Sequence, residues 1–334
     1  MTAKDLRSGK KTRAPVVSNP GPLHDPDEKQ IRGRTGRAGD TVTLCVNDHP
    51  VIRTGVHDHG KTAGEFFFSC RELVDFLGDG DSVSVHDAAG RAIPFPGGAP
   101  AFSVASGTAS RFAELRAKLD AGHVFTKFGT LKEGWTPARR AAVRGLFEAA
   151  AAALQEDFGL RLMPAYGNLL GAIREADFIV HDAGLFDVSY LSAHARPGAV
   201  TTETVAVVAR LCTRGFRTAG FKPAGVYLQH PDFRGVKLDL HWSWFTEEGD
   251  FDLSMGSRYA KCRDRAGYEQ ARTAFLDDWA LRVPGNAEAI LVQLYGANWT
   301  TPDQGLRAGA RLTRDPRYAL DPAQMDALAQ LHAP

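Results

Sequence analysis

A stretch rich in proline, glycine, alanine and serine divides the sequence and limits how the chain can fold. It reads PFPGGAPAFSVASGTAS and covers residues 94–110 of a chain of 334 residues. Such a composition is typical of a linker or a domain boundary, and the length of the chain favours about two domains. We therefore predict a module at residues 38–96, a linker at residues 97–110 and a second domain at residues 111–334.

The module is predicted to be small and all-β. Turn sequences such as NDHP, GDGD and HDAAG separate its β-rich segments, and turns at such short intervals are typical of antiparallel strands. The segments lie at residues 41–46, 51–54, 65–69, 82–86 and 91–95. The triplet HDH at residues 57–59 is either a set of metal ligands or a polar turn, and three adjacent loop residues without a partner motif favour the turn.

Residues 1–37 precede the module and carry a basic excess. They hold nine Lys or Arg against four acidic residues, with few large apolar side chains, and this composition predicts a disordered arm. The whole chain has a formal net charge of only +1. Because proteins that track phosphates usually carry a marked basic excess, we expect no specific nucleic-acid partner.

The sequence gives no sign of membrane insertion or export. It has no run of 18 apolar residues and no apolar signal-peptide core, so we expect no membrane span and a cytoplasmic location. The four cysteines lie far apart without a C-x-x-C pair. This spacing favours reduced structural thiols over a zinc ribbon or a disulfide framework.

The second domain mixes helices and strands. A helix is predicted to begin at Thr136, which can cap it, with Pro137 in the first helical position and Gly159 at its end. Helical sequence follows at residues 201–215, then the strands GVYLQH and GVKLDLHWSWF, and then a helical segment near residues 268–279. Helices and strands that mix without strict βαβ alternation indicate an α+β domain.

Acidic residues occur on two of the predicted strands. In VKLDLHWSWF, successive side chains point to opposite faces, so Asp239 and His241 share one face. Trp242 and Trp244 are expected to pack in the core. LFDVSYL is predicted as another strand with Asp187 near its start, downstream of the glycine turn YGNLLG. Carboxylates on neighbouring strands repel each other unless a cation lies between them, and such a pair can hold a divalent cation that clamps phosphates.

These segments resemble the signature of the LicD/fukutin-like phosphotransferases, which belong to the nucleotidyltransferase-fold superfamily. YGNLLGAIR is similar to the family pattern Y-G-T-L-L-G-A-x-R, and FIVHDAGLFDVSYLS follows it in the place of an acidic strand. VKLDLHWSW is similar to the strand of the family's third acid, and LVQLYGANWTTPDQG to its closing Y-G-x-x-W-x-x-P segment. The resemblance covers roughly residues 127–305 and implies a nucleotidyltransferase-like mixed sheet flanked by helices.

The resemblance also implies an activity. It is the transfer of a phospho-alcohol or phospho-sugar from a nucleotide-diphosphate donor to a glycan hydroxyl, as in the modification of cell-surface polysaccharide or teichoic acid, with Mg²⁺ or Mn²⁺ as cofactor. By position, Gly167 and Asn168 would form the turn against the donor phosphates. Asp187 and Asp239 would be catalytic metal ligands. Arg174 would neutralise phosphate charge, for which a planar guanidinium is well suited.

Two histidines adjoin these acids and are counted with the substrate-binding residues. His181 can ligate a metal, donate to a phosphate or be a structural residue, and these alternatives stay open. His241 shares the face of Asp239. Isolated cations and turn acids elsewhere are expected to be solvated; these are Lys222, Arg258, Lys261, Asp250 and Asp252.

The acidic strand departs from the family pattern at Leu185, which stands where the family has an acid two residues before the last one. We predict that Asp182 replaces the missing acid as a catalytic residue and metal ligand. A backbone bulge at Gly184 would swing Asp182 toward the metal while Leu185 turns into the core. If the ligand is simply lost, the chain is instead a degenerate member that binds nucleotide or glycan without turnover.

Overall fold

The computed structural model of the protein describes residues 16–18, 30–35, 40–59, 62–255, 262–297, 299–301 and 316–331. The chain divides into two compact units. One comprises Met1–Lys132 with Thr301–Leu306, and the other Glu133–Thr300 with Arg307–Pro334. The described residues form both helices and several sheets, so the fold is α+β, as predicted.

The first unit consists mainly of strands. Its described elements are β1 (Val16–Ser18), β2 (Gln30–Arg34), β3 (Thr41–Val46), β4 (His49–Gly55), β5 (His57–His59), β6 (Thr62–Ser69), β7 (Ser82–His86), β8 (Ala101–Ser103), α1 (Phe112–Asp120), β9 (His123–Phe125) and β10 (Leu131–Glu133), with a 3₁₀ turn at Leu73–Phe76. They form a sheet of order β1-β2-β6-β5, a sheet of order β4-β3-β7-β8 and the pair β9-β10. Alternate apolar side chains of these strands, such as Val42, Leu44 and Phe68, fill one core.

The predicted disordered arm contains two of these strands. Gln30–Arg34 runs antiparallel along β6, with Ile31 buried in the core, and Val16–Ser18 pairs with it. The prediction is wrong for these residues because overall composition does not detect a single apolar residue, Ile31, whose burial holds a strand against the neighbouring sheet. Residues 1–15, 19–29 and 36–37 of the arm lie outside the described residues.

The predicted linker at residues 97–110 lies inside the first unit. Ala101–Ser103 pairs with β7, and the helix α1 beyond it buries Leu115 in the same core. The two units separate near residue 132 instead. The glycines of this stretch form tight turns of the module, since Gly97 and Gly98 have φ angles of 87° and 84°, and such turns have the composition of a linker.

Two smaller features of the module also differ from prediction. Residues 57–59 form strand β5, which pairs with β6, rather than a polar turn. The segment at residues 91–95 is not a strand, because it contributes only an isolated bridge between His86 and Ala92. The short β-rich segments therefore predicted the positions of most strands of the module, but not the ends of each strand.

The second unit combines a mixed sheet with helices. Its described elements are α2 (Pro137–Phe158), β11 (Leu162–Pro164), α3 (Tyr166–Leu170), β12 (Phe186–Leu191), α4 (Pro197–Thr213), β13 (Arg217–Lys222), β14 (Gly225–Gln229), β15 (Leu238–Phe245), β16 (Phe251–Leu253), α5 (Arg265–Glu269), β17 (Arg272–Leu276), β18 (Trp279–Val283), α6 (Ala287–Tyr295) and α7 (Pro322–Gln330). A π turn at Gly171–Glu175 follows α3, and 3₁₀ turns occupy Val180–Asp182 and Pro316–Tyr318. The strand order is β11-β12-β15-β14-β13, with β16 also paired to β15. β12 and β15 are parallel and the other pairs are antiparallel.

Helix α2 has the predicted bounds. The Thr136 side chain accepts a hydrogen bond from the amide of Arg139 at 3.3 Å, and Pro137 is the first helical residue. Gly159 ends the helix with a left-handed φ of 68°, a conformation that glycine adopts without a steric penalty. None of the described helices is long and apolar enough to span a membrane.

One face of β12 and β15 packs on helices. Phe186 meets Phe147 of α2 edge to face, with ring centroids 6.0 Å apart, and the Tyr190 hydroxyl lies 2.8 Å from that of Thr204 on α4. Trp242 and Trp244 are fully buried, as predicted. Because side chains alternate along a strand, Asp187, Asp239 and His241 belong to the opposite face.

The predicted helical segment near residues 268–279 is wrong. Helix α5 ends at Glu269, and β17 and β18 form an antiparallel hairpin. Asp277 and Asp278 join the two strands, and Asp277 has a φ of 59°. Two-residue hairpin loops need such positive φ angles. The pair of aspartates between TAFL and WALRV was the sequence signal for this hairpin.

Candidate functional site

The parallel pairing of β12 and β15 brings the predicted acids together. Asp187 is the direct neighbour of Asp239 in the register, and Ser189 is the neighbour of His241. Among the described residues, Asp187, Asp239 and His241 form a group whose ligand atoms all lie within 4.8 Å of one another. We call these three residues the carboxylate–imidazole group.

Asp239 is buried beside two basic side chains. Its Oδ2 accepts a hydrogen bond from Nζ of Lys222 at 2.7 Å, and its Oδ1 lies 3.3 Å from Nε2 of His241. Burial raises the pKa of this carboxyl, but the charges of His241 and Lys222 outweigh that effect and hold the pKa below its ordinary value. Asp239 is therefore ionised at neutral pH.

Lys222 was expected on the solvated surface, but it belongs to the site. The two other cations of that expectation, Arg258 and Lys261, lie outside the described residues. Lys222 ends β13, and its ammonium reaches Asp239 on β15 across the intervening strand β14. Burial lowers the pKa of Lys222, and the charge of Asp239 overcomes this and raises it. The side chain keeps 29% exposure, so part of Lys222 remains accessible.

Gly225 leaves the space in which these side chains meet. A Cβ on Gly225 would lie 2.7 Å from Cε of Lys222, 2.8 Å from Oδ1 of Asp239 and 3.1 Å from Cε1 of His241. A real Cβ does not come so close to other heavy atoms, so the neighbouring side chains would have to shift. The missing side chain of Gly225 is therefore a condition for the observed arrangement of the three residues.

The ring of His241 is held from two sides. Nδ1 lies 2.9 Å from the carbonyl oxygen of Ala224 and 3.1 Å from Oγ of Ser254, and Ser254 itself donates to Ala224 at 2.8 Å. The ring of Tyr166 meets the imidazole edge to face, with centroids 4.9 Å apart. These contacts direct Nε2 toward Asp239.

The turn that begins α3 adjoins the acidic strand. The backbone amide of Ala165 donates to the carbonyl oxygen of Asp187 at 3.0 Å, and Nδ2 of Asn168 donates to the same oxygen at 3.3 Å. Tyr166 has a φ of 45°, which is unusual for a residue with a bulky side chain and occurs more often at functional sites. Asn168 thus ties the turn to the strand.

Asp182 lies near the turn but outside the carboxylate–imidazole group. It ends the 3₁₀ turn Val180–Asp182, which also carries the half-buried His181. A Cβ on Gly167 would lie only 1.9 Å from Oδ2 of Asp182, so this carboxylate occupies the space that Gly167 leaves open. Burial raises the pKa of Tyr295, at the end of α6, and the charges of Asp182 and Asp187 raise it further.

The predicted bulge at Gly184 is not observed. Gly184 has no left-handed φ angle and is exposed, and a Cβ added there would have no other atom within 4 Å. Leu185 is only half-buried rather than part of the core, and strand β12 starts after it, at Phe186. The segment reaches the sheet through an ordinary loop, so it provides no mechanism for swinging Asp182 toward Asp187.

Arg174 forms hydrogen bonds with residues outside the carboxylate–imidazole group. Its guanidinium donates to Glu175 at 2.5 Å and to the carbonyl oxygen of Trp299 at 3.1 Å, and the side chain is only 7% exposed. The charge of Arg174 lowers the pKa of Tyr295, although burial dominates and raises it. These bonds give Arg174 a structural role in holding the segment after α6.

Asp252 was predicted to be a solvated turn residue and is buried instead. It lies on β16, opposite Trp244 of β15, with 7% exposure. Burial raises the pKa of Tyr166, and the charges of Asp187, Asp239 and Asp252 add to this increase. Phe251 and Leu253, the neighbours of Asp252, are buried as well, so both faces of this short strand are covered.

The ligand atoms of the carboxylate–imidazole group suit a divalent cation. Within the described part of the chain, Oδ1 of Asp239 and Nε2 of His241 are buried and have no hydrogen-bond partner. Unpaired buried polar atoms are costly. Two carboxylates and an imidazole nitrogen that converge on one face of the sheet are the ligand types of many divalent cations, so the residues present fit a metal ion.

The sequence matches no protein-family model and has no significant match among curated proteins.

Proposed function

We propose that the protein is a metal-dependent phosphotransferase with a nucleotidyltransferase-like second unit. It would transfer a phospho-alcohol or phospho-sugar from a nucleotide-diphosphate donor to a glycan hydroxyl. The observation that carries this proposal is the register of Asp187 against Asp239 on two parallel strands, with unpaired buried donor atoms beside them. The resemblance of the Tyr166–Leu170 turn and of both strands to the LicD/fukutin-like pattern supports the same activity.

The proposed reaction is a displacement at phosphorus. The oxygen of the acceptor hydroxyl attacks the phosphorus that carries the alcohol or sugar, and the bond from this phosphorus to the nucleoside monophosphate breaks. The nucleoside monophosphate leaves with the electron pair, and the hydroxyl proton passes to solvent. A bound divalent cation would supply charge neutralisation for the phosphates.

The residues of the chain would bind and orient in this reaction. Asp187, Asp239 and His241 would hold the cation. Lys222 would bring a further positive charge to the phosphates, because its side chain keeps 29% exposure beside Asp239. Such fixed charges stabilise the charge that develops during phosphoryl transfer.

A second candidate is a binding protein without turnover. The ion pair between Lys222 and Asp239 favours it, because an ammonium already neutralises one of the carboxylates. Leu185 in place of a family acid favours it as well. Such a protein would hold a nucleotide-linked donor or a glycan through Lys222 and leave it intact.

A panel of nucleotide-diphosphate donors separates the two candidates. Each donor is mixed with acceptor glycan and Mg²⁺ or Mn²⁺, and release of nucleoside monophosphate is measured. We expect release that Asp187→Asn abolishes and that Asp278→Asn leaves unchanged. Asp278 is a suitable control because its side chain is 87% exposed on the β17–β18 turn. Saturable donor binding without release would support the binding protein instead.

A further inference from the structure

The hydrogen bonds of His241 determine which ring nitrogen carries the hydrogen. Nδ1 lies 2.9 Å from the carbonyl oxygen of Ala224, and a carbonyl oxygen can only accept. Nδ1 therefore carries a hydrogen and donates it. In the neutral ring Nε2 then has a free lone pair, and a backbone carbonyl that fixes a histidine in this way is a common support for metal-binding imidazoles.

The lone pair of Nε2 faces a second acceptor. Nε2 lies 3.3 Å from Oδ1 of Asp239, and neither atom has a hydrogen-bond partner among the described residues. His241 is completely buried and Asp239 is 3% exposed, so the two atoms have little access to water. Without a metal, a second proton on the ring would pair Nε2 with Oδ1, and a bound metal ion takes the place of that proton. Lys222 bonds to the other oxygen, Oδ2. A cation between Nε2 and Oδ1 would satisfy both atoms.

We propose that Nε2 of His241 is a metal ligand and that the site prefers a first-row transition-metal dication, represented by Mn²⁺, over Mg²⁺. This inference rests on the proposed metal-dependent function and specifies its cofactor. Mg²⁺ binds in proteins through oxygen ligands. Imidazole nitrogen suits first-row transition metals such as Fe²⁺, Ni²⁺ and Zn²⁺, and Mn²⁺, which binds most weakly of that series and also takes carboxylate ligands, is the most stringent probe of this preference. Replacing one carboxylate of the site by His241 therefore shifts the selectivity away from Mg²⁺.

The test compares affinities for two metals in three forms of the full chain. Free Mn²⁺ is followed by its EPR signal, and Mg²⁺ affinity is obtained by competition. We expect the wild type to bind Mn²⁺ at least about tenfold more tightly than Mg²⁺. His241→Gln should lower Mn²⁺ affinity about tenfold or more and remove most of that preference.

Lys222→Met is the matched control. It removes a positive charge next to the same carboxylate without changing a proposed ligand. Both metal affinities should therefore rise by a similar factor, and their ratio should stay at the wild-type value. A His241→Gln variant that keeps the wild-type ratio would overturn the proposal, as would wild-type protein that binds no Mn²⁺.

Pulsed EPR of wild-type protein with Mn²⁺ gives a second measurement that needs no folded variant. A coordinated imidazole nitrogen should produce a nuclear modulation of the Mn²⁺ signal, and its absence would also overturn the proposal. If the modulation is present but no donor releases nucleotide, the metal site stands and the proposed transferase activity fails.

Discussion

Lys222 and Asp239 form an ion pair across the strand that separates them. Nζ of Lys222, at the end of β13, lies 2.7 Å from Oδ2 of Asp239 on β15, and β14 runs between the two strands. The pair is possible because Gly225 of β14 has no side chain to fill the space between them. The charge of the candidate metal centre thus depends on a lysine that is distant in sequence.

The first prediction concerns this ion pair. Lys222→Met should lower the free energy of unfolding of the metal-free protein by about 1–3 kcal/mol, because it leaves the buried carboxylate of Asp239 without its ammonium partner. Urea unfolding at neutral pH measures the change. Unchanged stability would show that water can take the place of the Lys222 ammonium at Asp239.

The same variant should change the dependence of stability on pH. The folded-state pKa of Asp239 lies below its unfolded value of about 3.9. Its contribution is therefore present above that pH and is lost as the pH falls through the folded pKa. Without Lys222 the pKa of Asp239 is depressed less, so we expect a shallower loss of stability on acidification than in the wild type. A loss as steep as that of the wild type would contradict this.

The second prediction concerns the space at Gly225. Gly225→Ala should lower metal affinity about tenfold or more, because the new Cβ would displace Oδ1 of Asp239 or the ring of His241. Gly184→Ala is the control, since Gly184 lies in the loop before β12 with open space at its Cβ position. Isothermal titration with Mn²⁺ compares the two variants. Equal affinities would show that the site tolerates the extra methyl group.

Parts of the site could be predicted because they depend on local pattern. The alternation in VKLDLHWSWF placed Asp239 and His241 on one face, and the buried tryptophans Trp242 and Trp244 on the other. The caps at Thr136 and Gly159 gave the bounds of α2. In each case, neighbouring residues in the sequence determine the structure.

Other parts depend on strand order and loop course, which local pattern does not determine. The pairing of Lys222 with Asp239 requires the order β13-β14-β15. The position of Asp182 depends on the path of the loop after the π turn, and a glycine at position 184 did not imply a bulge. Residues 97–110 have the composition of a linker but form turns of the module, because turns and linkers use the same residue types.

The third prediction separates the two aspartates of the HDAGLFD segment. Asp187→Asn should abolish detectable Mn²⁺ binding, because it removes a charged ligand from the carboxylate–imidazole group. Asp182→Asn should keep Mn²⁺ affinity within about threefold of the wild type, since Asp182 lies outside that group. Mn²⁺ titration of both variants checks this. Equal losses would restore Asp182 as a metal ligand.

The fourth prediction tests the face of the sheet that packs on helices. Tyr318 stacks on Trp244, with ring centroids 4.0 Å apart, and its hydroxyl donates to the carbonyl oxygen of Ala195 at 2.8 Å. Tyr318→Ala should cost about 3–5 kcal/mol of unfolding free energy, whereas Tyr318→Phe should cost about 1 kcal/mol for the lost hydrogen bond. Thermal and urea unfolding measure both. Similar costs for the two variants would mean that the hydroxyl, and not the ring, stabilises this face.

The most direct measurement of the central claim is the anomalous scattering of a crystal that contains Mn²⁺. We predict an anomalous peak between β12 and β15, with Nε2 of His241 and carboxylate oxygens of Asp187 and Asp239 at about 2.0–2.3 Å from the metal. Lys222 would then lie beside the metal and not in its place. A map without a peak at these residues, with Lys222 still bonded to Asp239 at a saturating Mn²⁺ concentration, would contradict the account.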